Sequence, residues 1–401
     1  METIEQAGDK LWAACGRIGR SNENIDMSQS PQRLLSLSAG ITALAAAATL
    51  AAPGGRWLPA ALWHLIFAVG AMPMILSAMG YFVPVLTRGA SGPRWLALAP
   101  LTALAAGLGI VGFFMHGTMA LRLVAPWLAL VAAAGFAAWL ALRWRRCLGR
   151  PNPCLAWYAA ALAMLALGLL AVALAPWLPD QVRALRLFHL HINTLGFMAL
   201  TALGTLQVLL PTVAGRPDPE ALARLRGDLG WSASGALLLA LGAAWSAPLA
   251  VLGALAYAWP VVRLARHAWR NLRPHVLSSG NTMPLLGAAL AGLALALAHG
   301  LVHGFGFAAG ADAVALFVVG FLVPLVSGAA GHLLPVWLRP GMQDQWHRDS
   351  RRTLAFGARA RAALLLLGGI LAAAGATAGY LLGALGGLWL VAAMLRVTLS
   401  R

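Results

Sequence analysis

Apolar stretches of about 20 residues follow one another along nearly the whole chain, separated by short polar or arginine-bearing turns. Twelve stand out, over roughly 33–53, 58–87, 94–115, 121–144, 154–178, 184–213, 229–247, 248–267, 281–305, 312–337, 356–378 and 379–397. About 20 apolar residues rising 1.5 Å each cross a hydrocarbon core of roughly 30 Å. The pattern therefore predicts an all-α polytopic membrane protein with about 12 transmembrane helices. Residues 1–32 are polar and lack an apolar signal core or cleavage site, which reads as a cytoplasmic tail ahead of a single transmembrane domain over 33–401.

Repetition refines the picture. The second stretch, "HLIFAVGAMPMILSAMGYFVPVLTRG", and the sixth, "HINTLGFMALTALGTLQVLLPTVAGR", each place a proline 20 residues after a histidine, His64 to Pro84 and His191 to Pro211, with Arg88 and Arg216 close behind. The tenth, "VPLVSGAAGHLLPVWLRPG", repeats the 11-residue spacing of Pro73 and Pro84 in Pro324 and Pro335, and aligns Gly331 with Gly80. Ala315 stands where a third histidine would fall. Related helices four steps apart predict three four-helix arcs about a pseudo-threefold axis.

Composition agrees with the membrane reading. The chain is 60% hydrophobic and 10% charged, against about 25% charged in soluble domains. Its net charge of +17 is no nucleic-acid surface, because the cations alternate from loop to loop. Of 29 Lys and Arg, only Arg56, Arg122, Arg183 and Arg186 fall on one side. That asymmetry predicts both termini in the cytoplasm, with membrane lipid as the surrounding partner and nucleic acid excluded. Cys15, Cys147 and Cys154 then lie on the reducing side and form no CxxC pair.

The same topology gathers six of ten histidines near the outer face: His64, His116, His189, His191, His299 and His303. His189 and His191 point about 200° apart on a helix, so they serve two sites, whereas His299 and His303 share a face. The stretches hold no Lys, no Glu and no Asp deeper than Asp312. Carboxylate-rich zinc or di-iron sites and acid-coupled transport are therefore disfavoured, and histidine-only ligation points to haem first and copper next. Arg183 and Arg186, one and two turns before the histidine pair, suit haem propionates or headgroup anchoring equally. The methionines and prolines of these stretches read as packing and kinks, and His332 reads as structural.

With these residues in place, "HLHINTLGFMALTALGTLQVLLP" resembles the His-x-His helix of haem-copper oxidase subunit I. "WHLIFAVGAMPMILSAMGYFVPVL" is similar to that family's second helix. The resemblance implies twelve helices in three arcs, His64 and His191 as axial ligands of a low-spin haem b, and His189 facing a second site with His299 and His303 for haem or copper. The chain departs from the oxidases. Its His-x-His pair is on the sixth stretch rather than the tenth, and it has no adjacent His-His pair, no His-Pro-Glu-Val-Tyr segment and no membrane Lys or Glu for proton pumping. The shorter NnrS-like family resembles it in Trp63, His64 and Phe67 and in Arg186, His189, Gly196 and Met198. That family implies electron transfer or diatomic gas chemistry with nitric oxide. An external electron-donor protein or a quinol would then be the partner, and any enzymatic activity would be that of an oxidoreductase. The competing expectation is a twelve-helix transporter with no cofactor, in which glycine- and proline-broken helices gate and histidines contact substrate.

Overall fold

The computed structural model describes residues 60–400. The polar tail and the stretch at 33–53 lie outside them. The described chain is all helix, and every other expected stretch is one: α1 (Ala60–Leu86), α2 (Arg94–His116), α3 (Met119–Arg145), α4 (Cys154–Trp177), α5 (Pro179–Ala214), α6 (Ala221–Trp245), α7 (Ala247–Val276), α8 (Met283–Gly304), α9 (Gly310–Leu338), α10 (Gln345–Ala373) and α11 (Thr377–Leu399). Among the described residues, ten of these are long and apolar enough to cross a membrane. The other, α6, opens two turns earlier than its apolar pattern, through Arg224, Arg226 and Asp228. Asp228 is thereby fully buried inside the bundle, where it pairs with Arg263 of α7 at 2.7 Å. An acidic residue does therefore lie within a helix, held by a cation as a buried charge requires.

Short connections make successive helices antiparallel neighbours. Gly117, at φ 71°, ends α2 in the left-handed conformation that closes many helices, and α3 starts two residues later. One end of the bundle thus carries Arg122, Arg183, Arg186 and the six clustered histidines. The other carries the arginine-rich loops.

The centre is formed by α1, α5 and α9. In α5 and α9, 72% and 78% of the most apolar window is buried, against 33% in α2 and α7, which sit outside. Helices α1 and α9 meet at two depths, Phe67 on Phe317 with ring centroids 6.2 Å apart and Tyr81 on Trp337 at 6.0 Å. Helix α5 touches α1 through His64 and His189, and α9 directly.

These three helices share a second property. Each widens to a π-helix at the matching place: Leu65–Ala71 after His64, Ile192–Ala199 after His191, and Phe317–Leu322 just past Ala315. Proline explains two of them. The rings of Pro73 and Pro324 would clash with the carbonyls of Val69 and Gly320, four residues back, and a wider turn relieves that clash. In α5, where no proline follows, the Tyr257 hydroxyl from α7 donates to the Leu195 carbonyl at 2.9 Å.

Lipid tails are as apolar as leucine, so helices in a membrane associate by close packing rather than by hydrophobic expulsion. Glycines allow that approach where the π segments are covered. Gly107 of α2 lies on the Ala68 carbonyl, Gly292 of α8 on the Gly320 carbonyl, and Gly168 of α4 on Ile192 and Asn193. A methyl group at any of the three would overlap these atoms.

The arginine-rich end is tied by ion pairs. Arg224 binds Asp218, whose Oδ2 also lies 2.9 Å from His267 Nε2, and Asn271 Nδ2 lies 2.9 Å from His267 Nδ1. Burial alone would raise the Asp218 carboxyl, but the hydrogen bonds and charge of Arg224, with His267, hold it below the ordinary carboxylate range. Helix α10 breaks at Phe356 and Gly357 and continues from Ala358. The fully buried Arg361 bridges the break, donating to the Leu354 carbonyl and, at 3.2 Å, to the Ser327 hydroxyl of α9.

Candidate histidine centre

His64 ends the first turn of α1, and its Nδ1 donates one turn back to the Ala60 carbonyl at 2.8 Å. His189 and His191 lie just ahead of the π segment of α5. His191 Nδ1 donates to the Leu187 carbonyl at 2.8 Å. His189 Nδ1 reaches across to α4 and donates to the Gly168 carbonyl at 2.9 Å, while the Asn193 amide donates to the His189 carbonyl at 2.7 Å. A carbonyl only accepts, so His64 and His191 are assigned the tautomer with the proton on Nδ1 and a lone pair on Nε2; at His189 the closer Gly168 carbonyl favours the same tautomer over the Asn193 amide nitrogen, 3.1 Å from that Nδ1. No described residue takes up any of these three Nε2 lone pairs. That is how a protein prepares a histidine as a metal ligand: one nitrogen is fixed by a carbonyl and the other is left basic.

The ring that faces His64 belongs to His189. Their centroids are 6.4 Å apart and their planes differ by 14°. Two imidazoles binding one metal from opposite sides have centroids roughly 6.2–6.4 Å apart, from a metal–nitrogen bond of roughly 2.0–2.1 Å and about 1.1 Å from nitrogen to ring centre on each side. The centroid spacing of the stacked pair thus falls near that of a two-imidazole metal centre. Phe114 of α2 packs on the His64 ring at a centroid distance of 4.9 Å.

The resemblance implies His64 and His191 as the ligand pair, whereas the ring that lies beside His64 is that of His189. The cause is the 200° offset within His-x-His. The face of α5 that meets α1 and α4 carries His189, and the opposite face turns His191 toward α8, where His303 is its electrostatic neighbour. His303 Nδ1 donates to the Ala308 carbonyl at 3.0 Å, and His299 Nε2 is buried without a hydrogen-bond partner. Among the described residues, no three His, Cys, Asp or Glu side chains converge to hold a metal ion.

Arg183 and Arg186 are both exposed at the same end, and the charge of Arg186 reaches His64. His116 is exposed at the end of α2 and joins nothing. His332 lies in the other half of α9, within reach of Arg351. His347 caps the start of α10 with Asp344, and its Nε2 donates to the Arg339 carbonyl at 2.8 Å. Gly168, Asn193 and Phe114 escape the sequence reading. Asn193 and Thr194, the polar break in an otherwise apolar run, are the one signal that could have drawn attention to them. No family model matches the chain, and no curated protein matches it in sequence.

Proposed function

We propose that this chain is a haem-binding membrane protein of the oxidase subunit I and NnrS kind. In this reading twelve helices stand in three arcs, and one b-type haem is held between His64 of α1 and His189 of α5. The observation that carries it is the facing imidazole pair at 6.4 Å, with both Nδ1 protons spent on carbonyls. The three π segments at equivalent places in α1, α5 and α9 support the pseudo-threefold arrangement. Arg183 and Arg186 would anchor the propionates. His191 and His303 would form a second position for haem or copper, with His299 beside it.

When bound, a bis-imidazole haem supplies one-electron transfer, and an open position at the second site would admit a diatomic gas such as nitric oxide. The chain's own residues would fix the rings, exclude water and present basic nitrogens. An external donor protein or a quinol would deliver electrons at the histidine end. By the positive-inside rule that end faces outward from a bacterial inner membrane, with both termini in the cytoplasm.

A reduced-minus-oxidised spectrum of protein produced with ample haem tests the reading, with pyridine haemochrome and copper analysis on the same sample. A low-spin b-type signal is expected. It should be lost in His64→Ala and in His189→Ala and kept in His191→Ala. Loss in His191→Ala with retention in His189→Ala would refute the pairing. Absence of both haem and copper would refute the cofactor and leave the transporter as the better account.

A further inference from the structure

The arginine-rich end carries a groove unrelated to the histidine centre. It has a volume of about 510 Å³ and lies between the last turn of α3, the loop that follows it, and the first turns of α4 and α6. Ala156, Leu225 and Leu229 make it apolar, and Trp144 stands at its wall with 37% of its surface exposed. Its floor is fixed, because Trp157 Nε1 donates to the Leu225 carbonyl at 2.8 Å and ties α4 to α6.

Two arginines complete the lining. Arg150 and Arg226 are exposed, and neither forms an ion pair or hydrogen bond with a described residue. The nearby acids are already taken: Asp218 by Arg224, and Asp228 by Arg263. Arg224 and Arg226 point about 200° apart on α6, so one closes the internal network while the other faces the groove. Among the described residues, no acidic side chain lines the groove. An apolar trough at the membrane edge, with an interfacial tryptophan and two unpaired guanidiniums, matches a lipid with an anionic headgroup. Acyl chains fill the apolar wall and guanidiniums grip phosphate oxygens in a fork.

We propose that this groove is a binding site for an anionic phospholipid, with Arg150 and Arg226 on the phosphate and Trp144, Ala156 and Leu229 against the acyl chains. The site is independent of any cofactor at the opposite end.

Native mass spectrometry of the full-length protein, titrated in detergent with dioleoyl phosphatidylglycerol or dioleoyl phosphatidylcholine, tests it. The expected result is preferential retention of phosphatidylglycerol by the wild type. Each arginine near such a surface is worth roughly fivefold, so the double variant Arg150→Gln/Arg226→Gln should lose roughly 30-fold of that preference. Arg266→Gln/Arg270→Gln removes the same charge from exposed positions on α7 and should keep the preference. Ala156→Trp fills the groove without altering charge and should also abolish retention. Equal retention of the two lipids by the wild type, an unchanged preference in Arg150→Gln/Arg226→Gln, or an equal loss in the α7 control would overturn the assignment.

Discussion

Gly168 joins packing to the histidine centre, so Gly168→Ala is a sharp test of both. A methyl group there would stand 2.7 Å from Ile192 Cγ2 and overlap the Asn193 amide. Both neighbours are buried on the π segment of α5, so neither has an open direction to move. Overpacking of this kind costs about 1–3 kcal/mol. Parting α4 from α5 also stretches the 2.9 Å bond from His189 to the Gly168 carbonyl, whose net worth is about 0.5–1.5 kcal/mol. Together they predict a loss of about 1.5–4.5 kcal/mol, which is roughly 10- to 2,000-fold in the folding equilibrium. Gly135 is the control. It is exposed in the middle of α3 with nothing within 4 Å of an added methyl, so Gly135→Ala should be neutral or slightly stabilising. Equilibrium unfolding in mixed detergent micelles measures the cost, and the low-spin haem spectrum measures the ring. Gly168→Ala as stable as Gly135→Ala would refute the close approach of α4 and α5.

Two further predictions concern the arginine-rich end. The Asp218 carboxyl titrates below its ordinary range in the folded chain, so its contribution is fully present above the unfolded value of about 3.9 and is lost as pH falls through the lower folded value. Unfolding measured from neutral to acid pH should show that limb in the wild type and a flatter one in Asp218→Asn. Arg361 is a buried cation whose nearest partners are neutral, so Arg361→Met recovers its desolvation and should cost about 1 kcal/mol or less. Arg361→Lys keeps the charge yet lacks the planar fork that reaches both Leu354 and Ser327, and should cost more. The order of their unfolding midpoints decides between them.

Much of the fold was legible because in a membrane protein hydrophobic length reports helix length directly. The helices α1 to α5 lie within a few residues of the apolar stretches, as do α8, α9 and α11. Departures occur where charge is paid for inside the bundle. Helix α6 starts early because Arg224 and Asp228 find partners, and α10 starts at Gln345 because Asp344 and His347 cap it. Arg361 lies within the apolar stretch 356–378, where the Leu354 carbonyl freed by the helix break gives the buried cation a partner. At the histidine centre the residue types were visible, and which ring lies beside His64 was not. Helical spacing shows that His189 and His191 face opposite ways, but only the packing of α1, α4 and α8 around α5 decides which of them meets His64. The π turns of α5 and α9 leave no mark in an apolar pattern that is buried on every side.

Those widened turns have a bearing on how each central helix is aimed. A π turn holds one residue more than an α turn needs. Removing one residue from such a stretch would rotate everything after it by about 100°, so the length of each segment sets which side of the helix beyond it meets the bundle.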